Sequence, residues 1–416
     1  MKILILGLNY APENIGIAVY TTGMAEYLAE QGHEVQVVAG QPYYPSWNIM
    51  SGHNAWLYKK SNENGVKITR VPHYIPSKPT GVKRMFHHIS FAFSALFPMV
   101  SRAISTRPDI IINIAPSLVG APVAKFAAFI SGAKSWLHIQ DFEVEAAFAT
   151  GLLKSDNKLA RLALWYENAI LKSFDIVSTI SVQMCKKLKE KGVKGDKIVE
   201  FRNWADIETI KPLDRSSIFR KKWNITTKYV ALYSGNIANK QGISIIVDAA
   251  KKLHHRNDLT FVICGEGPNR VNLEKQANSL NNVRFYDLQA KEELNELMGL
   301  ASVHLLPQLK NVVDLVLPSK LANMLASGRP AVVIAAKGTG LANEMEGCGL
   351  VVDPEDVLSF SLAIEKIIDN PALYDMYKKA ARSQAEKRWF KNMILAQFEA
   401  NLCNFSECSK IKETSE

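Results

Sequence analysis

The run Ile3-Leu4-Ile5-Leu6 is followed by a loop closing on Gly16, by Ile17, Tyr20, Met24 and Leu28 at helical spacing, and by Gly32-His33 before Val35-Gln36-Val37-Val38. A switch from a short aliphatic run to a 3.6-residue period and back reads as one βαβ unit, which commits the chain to a parallel sheet with helices on its faces. The pattern recurs, with strands expected at 109–114, 135–140, 175–180 and 198–201, each flanked by a helical pattern. A second series has strands expected at 229–233, 260–264, around Arg284, and at 303–306, 331–334 and 349–352. At 416 residues the chain exceeds the roughly 250–300 residues at which a single core stops growing, so two α/β doubly wound domains are expected. Their boundaries are read as 1–205 and 206–385, with 386–416 a final helix returning toward the first domain, and a tail.

Lys and Arg number 50 against 40 Asp and Glu, a net charge of +10, which favours an anionic partner such as a phosphate or an acidic lipid. Nucleic acid is not expected, because no binding motif or Arg run with interleaved aromatics is present. The five cysteines are scattered without a CxxC, so neither a disulfide framework nor a zinc site is expected. The first apolar run is too short for a signal peptide, which leads to a cytoplasmic expectation. The stretch 89–100 falls short of the ~20 apolar residues of a spanning helix and contains Pro98. Lys78, Lys83, Arg84, His87 and His88 precede it and Arg102 and Arg107 follow it. It reads equally as a segment lying in an anionic interface or as a buried domain helix.

Ligands of doubly wound sheets bind at the C-terminal ends of the strands, so the loops there are the candidates. The loop from Gly7 to Gly16 follows the first strand but is not GxGxxG, which disfavours a dinucleotide cofactor and with it a dehydrogenase. Ser234-Gly235-Asn236-Ile237-Ala238-Asn239-Lys240 combines backbone amides at a helix start with one ammonium, the equipment for a diphosphate that gains charge as it leaves. Gly265-Glu266-Gly267-Pro268 allows close backbone approach at another strand end, and Leu288 follows the next strand. In the block 314–330, Pro318 starts a helix and Gly328 ends it. Ser319 and Lys320 in its first turn are placed for phosphate, and Asn323 one turn later for a ribose hydroxyl. At the end of the fourth strand His138, Asp141, Glu143 and Glu145 offer groups to handle an acceptor proton; Asp141 is the first choice, and His138, inside the strand, the second. No cluster shows metal-ligand spacing, and metal independence is expected.

Taken together, Gly16 through Gly32-His33-Glu34-Val35, Asn203 with Asp206, Gly235 with Lys240, Gly265 to Pro268 and Pro318 to Pro330 resemble the retaining glycosyltransferases of family 4. Leu137-His138-Ile139-Gln140-Asp141, Pro42-Tyr43-Tyr44-Pro45, Tyr233-Ser234-Gly235-Asn236-Ile237 and Leu317-Pro318-Ser319-Lys320-Leu321 resemble the colanic acid and O-antigen branch of that family, which includes fucosyl and N-acetylfucosaminyl transferases. The resemblance implies a GT-B fold of two Rossmann-like domains facing a central cleft, a UDP- or GDP-linked sugar donor, no cofactor, a lipid-linked oligosaccharide acceptor, and a place on the inner face of the cytoplasmic membrane. It makes Asp141, His138 and Lys240 the catalytic candidates. The donor-side candidates are Gly16, Gly235, Asn236, Lys240, Gly265, Glu266, Gly267, Leu288, Pro318, Ser319, Lys320 and Asn323. Two positions depart from the family: Asn236 replaces its usual arginine, and Leu315 and Asn323 stand where its glutamate pair falls, so Lys240, helped by Lys320, carries the counter-charge. A nucleotide-sugar 2-epimerase and a non-catalytic nucleotide-sugar-binding scaffold are the alternatives.

Overall fold

All but the first residue of the opening strand, β1 (Lys2–Gly7), are buried, as in a strand covered on both faces. The computed structural model describes residues 1–14, 16–142, 144, 158–205, 207–238, 241–309 and 319–413. They divide into unit 1, Met1–Arg202 with Leu395–Glu416, and unit 2, Asn203–Ile394.

In unit 1, β1 pairs in parallel with β2 (Glu34–Gly40), across the helix α1 (Ile17–Glu30), and with β5 (Ile110–Ala115). The remaining strands are β3 (Lys59–Glu63), β4 (Val66–Val71), β6 (Lys134–Ile139), β7 (Ile176–Thr179) and β8 (Ile198–Glu200), in the sheet order β3-β4-β2-β1-β5-β6-β7-β8. Only β3 runs antiparallel to its neighbour. Both strands of the β3–β4 hairpin are absent from the expected ones: Lys59-Lys60-Ser61-Asn62-Glu63 has no apolar residue, as suits a solvated edge, whereas β4 carries Val66, Ile68 and Val71 and was readable but overlooked. The hairpin's signal was the Asn64-Gly65 pair: with φ of 49° and 80°, both residues adopt the left-handed conformation of a tight hairpin turn.

Helix α2 (Gly81–Thr106) is 26 residues long, more than twice the suspected stretch. Its His87, Phe91, Ala95, Met99 and Ala103 are buried, and the apolar ones share a core with Leu4, Leu6, Val38 and Ile111 of the sheet. The opposite side is also apolar but exposed, through Phe86, Ile89, Phe93 and Phe97. The two readings of this segment are therefore not exclusive: α2 is a domain helix on one side and a bare apolar stripe on the other. Pro98 sits in its interior and lacks the N–H that would bond the Ser94 carbonyl four residues back. The Tyr58 hydroxyl donates to that carbonyl instead, at 3.0 Å. Helix α3 (Ala121–Ser131) packs beside α2.

Unit 2 has six strands, all parallel: β9 (Tyr229–Ser234), β10 (Leu259–Cys264), β11 (Val283–Tyr286), β12 (Val303–Leu306), β13 (Ala331–Ile334) and β14 (Gly349–Val352). The order β11-β10-β9-β12-β13-β14 reverses direction between β9 and β12, the switch point where such sheets bind ligands. Alternate residues of β9 feed separate cores on the two faces, Val230 and Leu232 on one side, Ala231 and Tyr233 on the other. The last helix, Lys391–Glu413, brings the chain back to unit 1 from Leu395 onward. There Phe398 stacks on Phe201 at 3.9 Å and meets Trp136 edge-on. Glu399 lies 3.1 Å from His33, whose other ring nitrogen is 3.1 Å from the Met1 amino group, so the histidine of the Gly32-His33 motif links the start of β1 to the last helix.

Several histidines are held neutral in the interior. Burial pushes His73 and His138 down to about 3 and His88 to about 4 in unit 1, and His304 to about 3 in unit 2. The unfolded chain takes up these protons near pH 6.5 and the folded chain does not, so stability falls as pH drops below 6.5, by up to ~1.4 kcal/mol per pH unit for each histidine. Urea midpoints measured at pH 7 and pH 5 are expected to show this loss mainly in unit 1, and His138→Gln is expected to shallow it.

Candidate functional site

The loops that continue β9 and β10 lie against each other backbone to backbone. The Gly235 amide donates to the Cys264 carbonyl at 2.9 Å, and the Ile237 amide to the Glu266 carbonyl at 2.7 Å. Both turns need glycine: φ is 136° at Gly235 and 149° at Gly265, and a Cβ built on Gly265 would stand 1.9 Å from the Gly235 carbonyl oxygen. One on Gly267 would stand 2.4 Å from the Ile237 carbonyl oxygen. Arg270 braces the pair from outside, donating to the Gly265 carbonyl at 3.1 Å while paired with Glu274.

Lys320, in the first turn of the helix Ser319–Ala326, reaches over this cradle. Its Nζ donates to the Tyr233 hydroxyl at 2.7 Å, and that hydroxyl donates to the Asn236 carbonyl, also at 2.7 Å. The lysine crosses Gly235 so closely that a Cβ there would be 2.3 Å from its Cε and 2.5 Å from its Nζ. Burial pushes the ammonium down to about 8. Among the described residues no carboxylate pairs with Lys320, so the described strand ends of unit 2 present a desolvated cation without a described counter-ion. Such a group gains most from an anionic ligand that brings its own charge.

The structure thus brings together Gly235, Asn236, Gly265, Gly267 and Lys320. Glu266 contributes its carbonyl to the cradle and leaves its side chain exposed; Asn323 lies one turn beyond Lys320, half-buried. Leu288 is exposed after β11, the edge strand of the sheet. Lys240 and Pro318 lie outside the described residues, as do Glu143, Glu145, Asp206 and Leu315, and the side chain of Ser319 is likewise outside them.

In unit 1, Gly16 precedes α1 with a φ of 65°. Asp141 is half-buried just past β6. His138 is corrected from a catalytic candidate to a structural residue. It is buried within β6, with Nδ1 2.9 Å from Ser178 Oγ and Nε2 2.9 Å from Gln140 Nε2, and Trp136 Nε1 donates to the same Ser178 oxygen. Both nitrogens are thus engaged within the sheet, in the manner of a core histidine. Sequence reasoning also passed over Glu13 and Arg70. Glu13 is buried and accepts from the Tyr43 and Tyr44 amides, both at 2.8 Å, and from Asn9 at 2.9 Å, fastening the β1 loop to the β2 loop. Arg70, buried in β4, donates to the Gly40 and Ala11 carbonyls. Tyr233 was missed because an aromatic residue in a strand reads as core.

Gly265→Ala is expected to destabilise unit 2 by roughly 2–4 kcal/mol, because its methyl group meets a fixed carbonyl, whereas Gly32→Ala, at φ 86° with open space around it, should cost only about 1 kcal/mol. Denaturation midpoints of the two variants check the contrast.

Two families match the chain: "Glycosyl transferases group 1" over residues 215–384 and "Glycosyl transferase 4-like domain" over residues 16–204. A relative from Escherichia coli (strain K12) that carries the name colanic acid biosynthesis glycosyl transferase WcaI is 38% identical over 408 residues, covering 96% of this chain and 98% of its own. Among solved structures, sucrose-phosphate synthase from Thermosynechococcus elongatus superposes with a TM-score of 0.74 at 16% identity, over 98% of this chain and 99% of that one. Anabaena Alr3699/HepE in complex with UDP and glucose does so at 0.70 and 15%, over 97% of this chain and all of that one (100%).

Proposed function

The chain belongs to the group 1 glycosyl transferases and is a glycosyltransferase of GT-B fold, and on that premise we propose that it moves a sugar from a nucleoside diphosphate to a lipid-linked saccharide in cell-surface polysaccharide synthesis. The observation that carries the donor half is the desolvated Lys320 ammonium over the Gly235–Gly265 cradle. The UDP and glucose bound by the Anabaena neighbour support the same reading. In the proposed reaction the bond from anomeric carbon to diphosphate oxygen breaks, the acceptor oxygen bonds to that carbon with retention of configuration, and the acceptor proton passes to the departing phosphate. Charge then builds on the diphosphate, where a positioned cation or amide is worth roughly 3–4 kcal/mol of barrier. Lys320 supplies that cation, with Lys240 as its proposed partner, and no divalent metal is called for. Asp141 is the proposed group that orients the acceptor hydroxyl, and fucose and N-acetylfucosamine are the first sugars to test.

Titrations with UDP and GDP in excess chelator test this reading. Affinity should be level up to about pH 8 and then fall by up to tenfold per unit, because free Lys320 gives up its proton near about 8 while a terminal phosphate is already ionised above ~7. Lys320→Met should remove that limb and weaken binding by roughly ten- to a hundredfold. Binding of neither nucleotide, or binding indifferent to the lysine, would sink the assignment.

The acceptor half rests on α2. The helix and its neighbour α3 contain no Asp or Glu, and Lys83, Arg84 and Lys125 lie on them. Phe93 is 79% exposed, Phe97 76% and Phe129 of α3 82%, and Trp56, beside the Tyr58 that bonds to α2, is 77% exposed. An apolar stripe with basic residues and no acidic ones suits the interface of an anionic bilayer, where a lipid-linked acceptor resides. Changing Phe93 and Phe97 together to Glu should cost on the order of 3 kcal/mol of partitioning, about a hundredfold. Co-sedimentation with phosphatidylglycerol vesicles checks it, and unaltered binding would remove α2 from the interface.

A further inference from the structure

Lysine is a flexible point charge on a four-carbon stem, so a lysine that is to meet a diphosphate in one place needs something to hold it there. Here the fixed element is Tyr233, fully buried in β9 with its ring in the core and its hydroxyl at the strand end. We propose that Tyr233 is a positioning residue of the diphosphate site: its hydroxyl and ring fix the Lys320 ammonium above the Gly235 turn and so determine where the departing diphosphate is held. The proposal rests on the donor reading above and adds a residue to it.

The hydrogen bonds have a direction. The Tyr233 proton is committed to the Asn236 carbonyl, so its oxygen can only accept from Lys320, and the ammonium keeps two of its three donors for a ligand. Burial raises the phenol well above its ordinary value, so it stays protonated and never competes as an anion for the lysine. The Nζ also lies 4.5 Å from the ring centroid, within reach of a cation–π attraction that steadies the charge without neutralising it. Gly235 supplies the floor: any side chain there would occupy the path of the lysine Cε and Nζ. Ring, hydroxyl and turn together set the ammonium in place before any ligand arrives, which lowers the ordering cost of binding and the reorganisation needed when the diphosphate leaves.

The test is a double-mutant cycle of Tyr233→Phe and Lys320→Met in the full chain, read by titration with UDP, GDP, inorganic pyrophosphate, uridine and guanosine. Tyr233→Phe keeps the ring in the core, and its melting temperature is the folding control. It should weaken diphosphate and pyrophosphate binding about tenfold, leave the nucleosides unchanged, and move the alkaline limb of diphosphate binding to lower pH by about half a unit, since the ammonium loses an acceptor. In the Lys320→Met background the same change should do less than twofold, because Tyr233 then has nothing to position. Equal losses in both backgrounds, a matching loss for the nucleosides, or no loss at all would overturn the proposal while leaving the donor reading intact. Failure of the unaltered protein to bind either UDP or GDP would overturn both.

Discussion

The close approach of the β9 and β10 loops governs the chemistry of unit 2. Two backbones in contact, with no Cβ between Gly265 and the Gly235 carbonyl, leave room above them for one long side chain, and the Ser319–Ala326 helix delivers Lys320 into that room. A bulkier turn would keep the helix and the sheet but displace the charge. Conformational permissiveness at a glycine is thus converted into electrostatics at a lysine.

The two units handle buried charge differently. In unit 1 Glu13 accepts from two backbone amides and the Asn9 side chain, Arg70 donates to two backbone carbonyls, and both hold loops together. In unit 2 Lys320 meets a neutral phenol and no described carboxylate. An ion whose solvation is replaced by backbone dipoles is a structural part. Lys320, whose solvation is replaced only in part by described groups, is the cation proposed to meet a diphosphate.

Much of the architecture was legible because period and spacing carry it. The aliphatic runs of β1, β2, β5 and β9 are strands in the expected places, and the Gly235, Gly265 and Lys320 loops converge as their positions after strand ends implied. What escaped was set by tertiary context. The β3 edge strand has no apolar pattern to reveal it, although Asn64-Gly65 marked its turn. Tyr233 carries a strand-core signature, and only the lysine brought to its hydroxyl from a residue 87 positions away gives it a part in the site. His138 looked reactive by residue type, but Ser178 on β7 and Gln140 just past β6 engage both of its nitrogens.

Pro98 shows how a defect in one element becomes a joint between two. By withholding a single N–H it leaves the Ser94 carbonyl open on α2, and Tyr58 closes it from outside the helix. The exposed apolar pair Trp56 and Leu57, just before the edge hairpin, is thereby tethered to α2 through its neighbour Tyr58. One missing N–H in the helix thus becomes the point where a neighbouring loop is fastened to it.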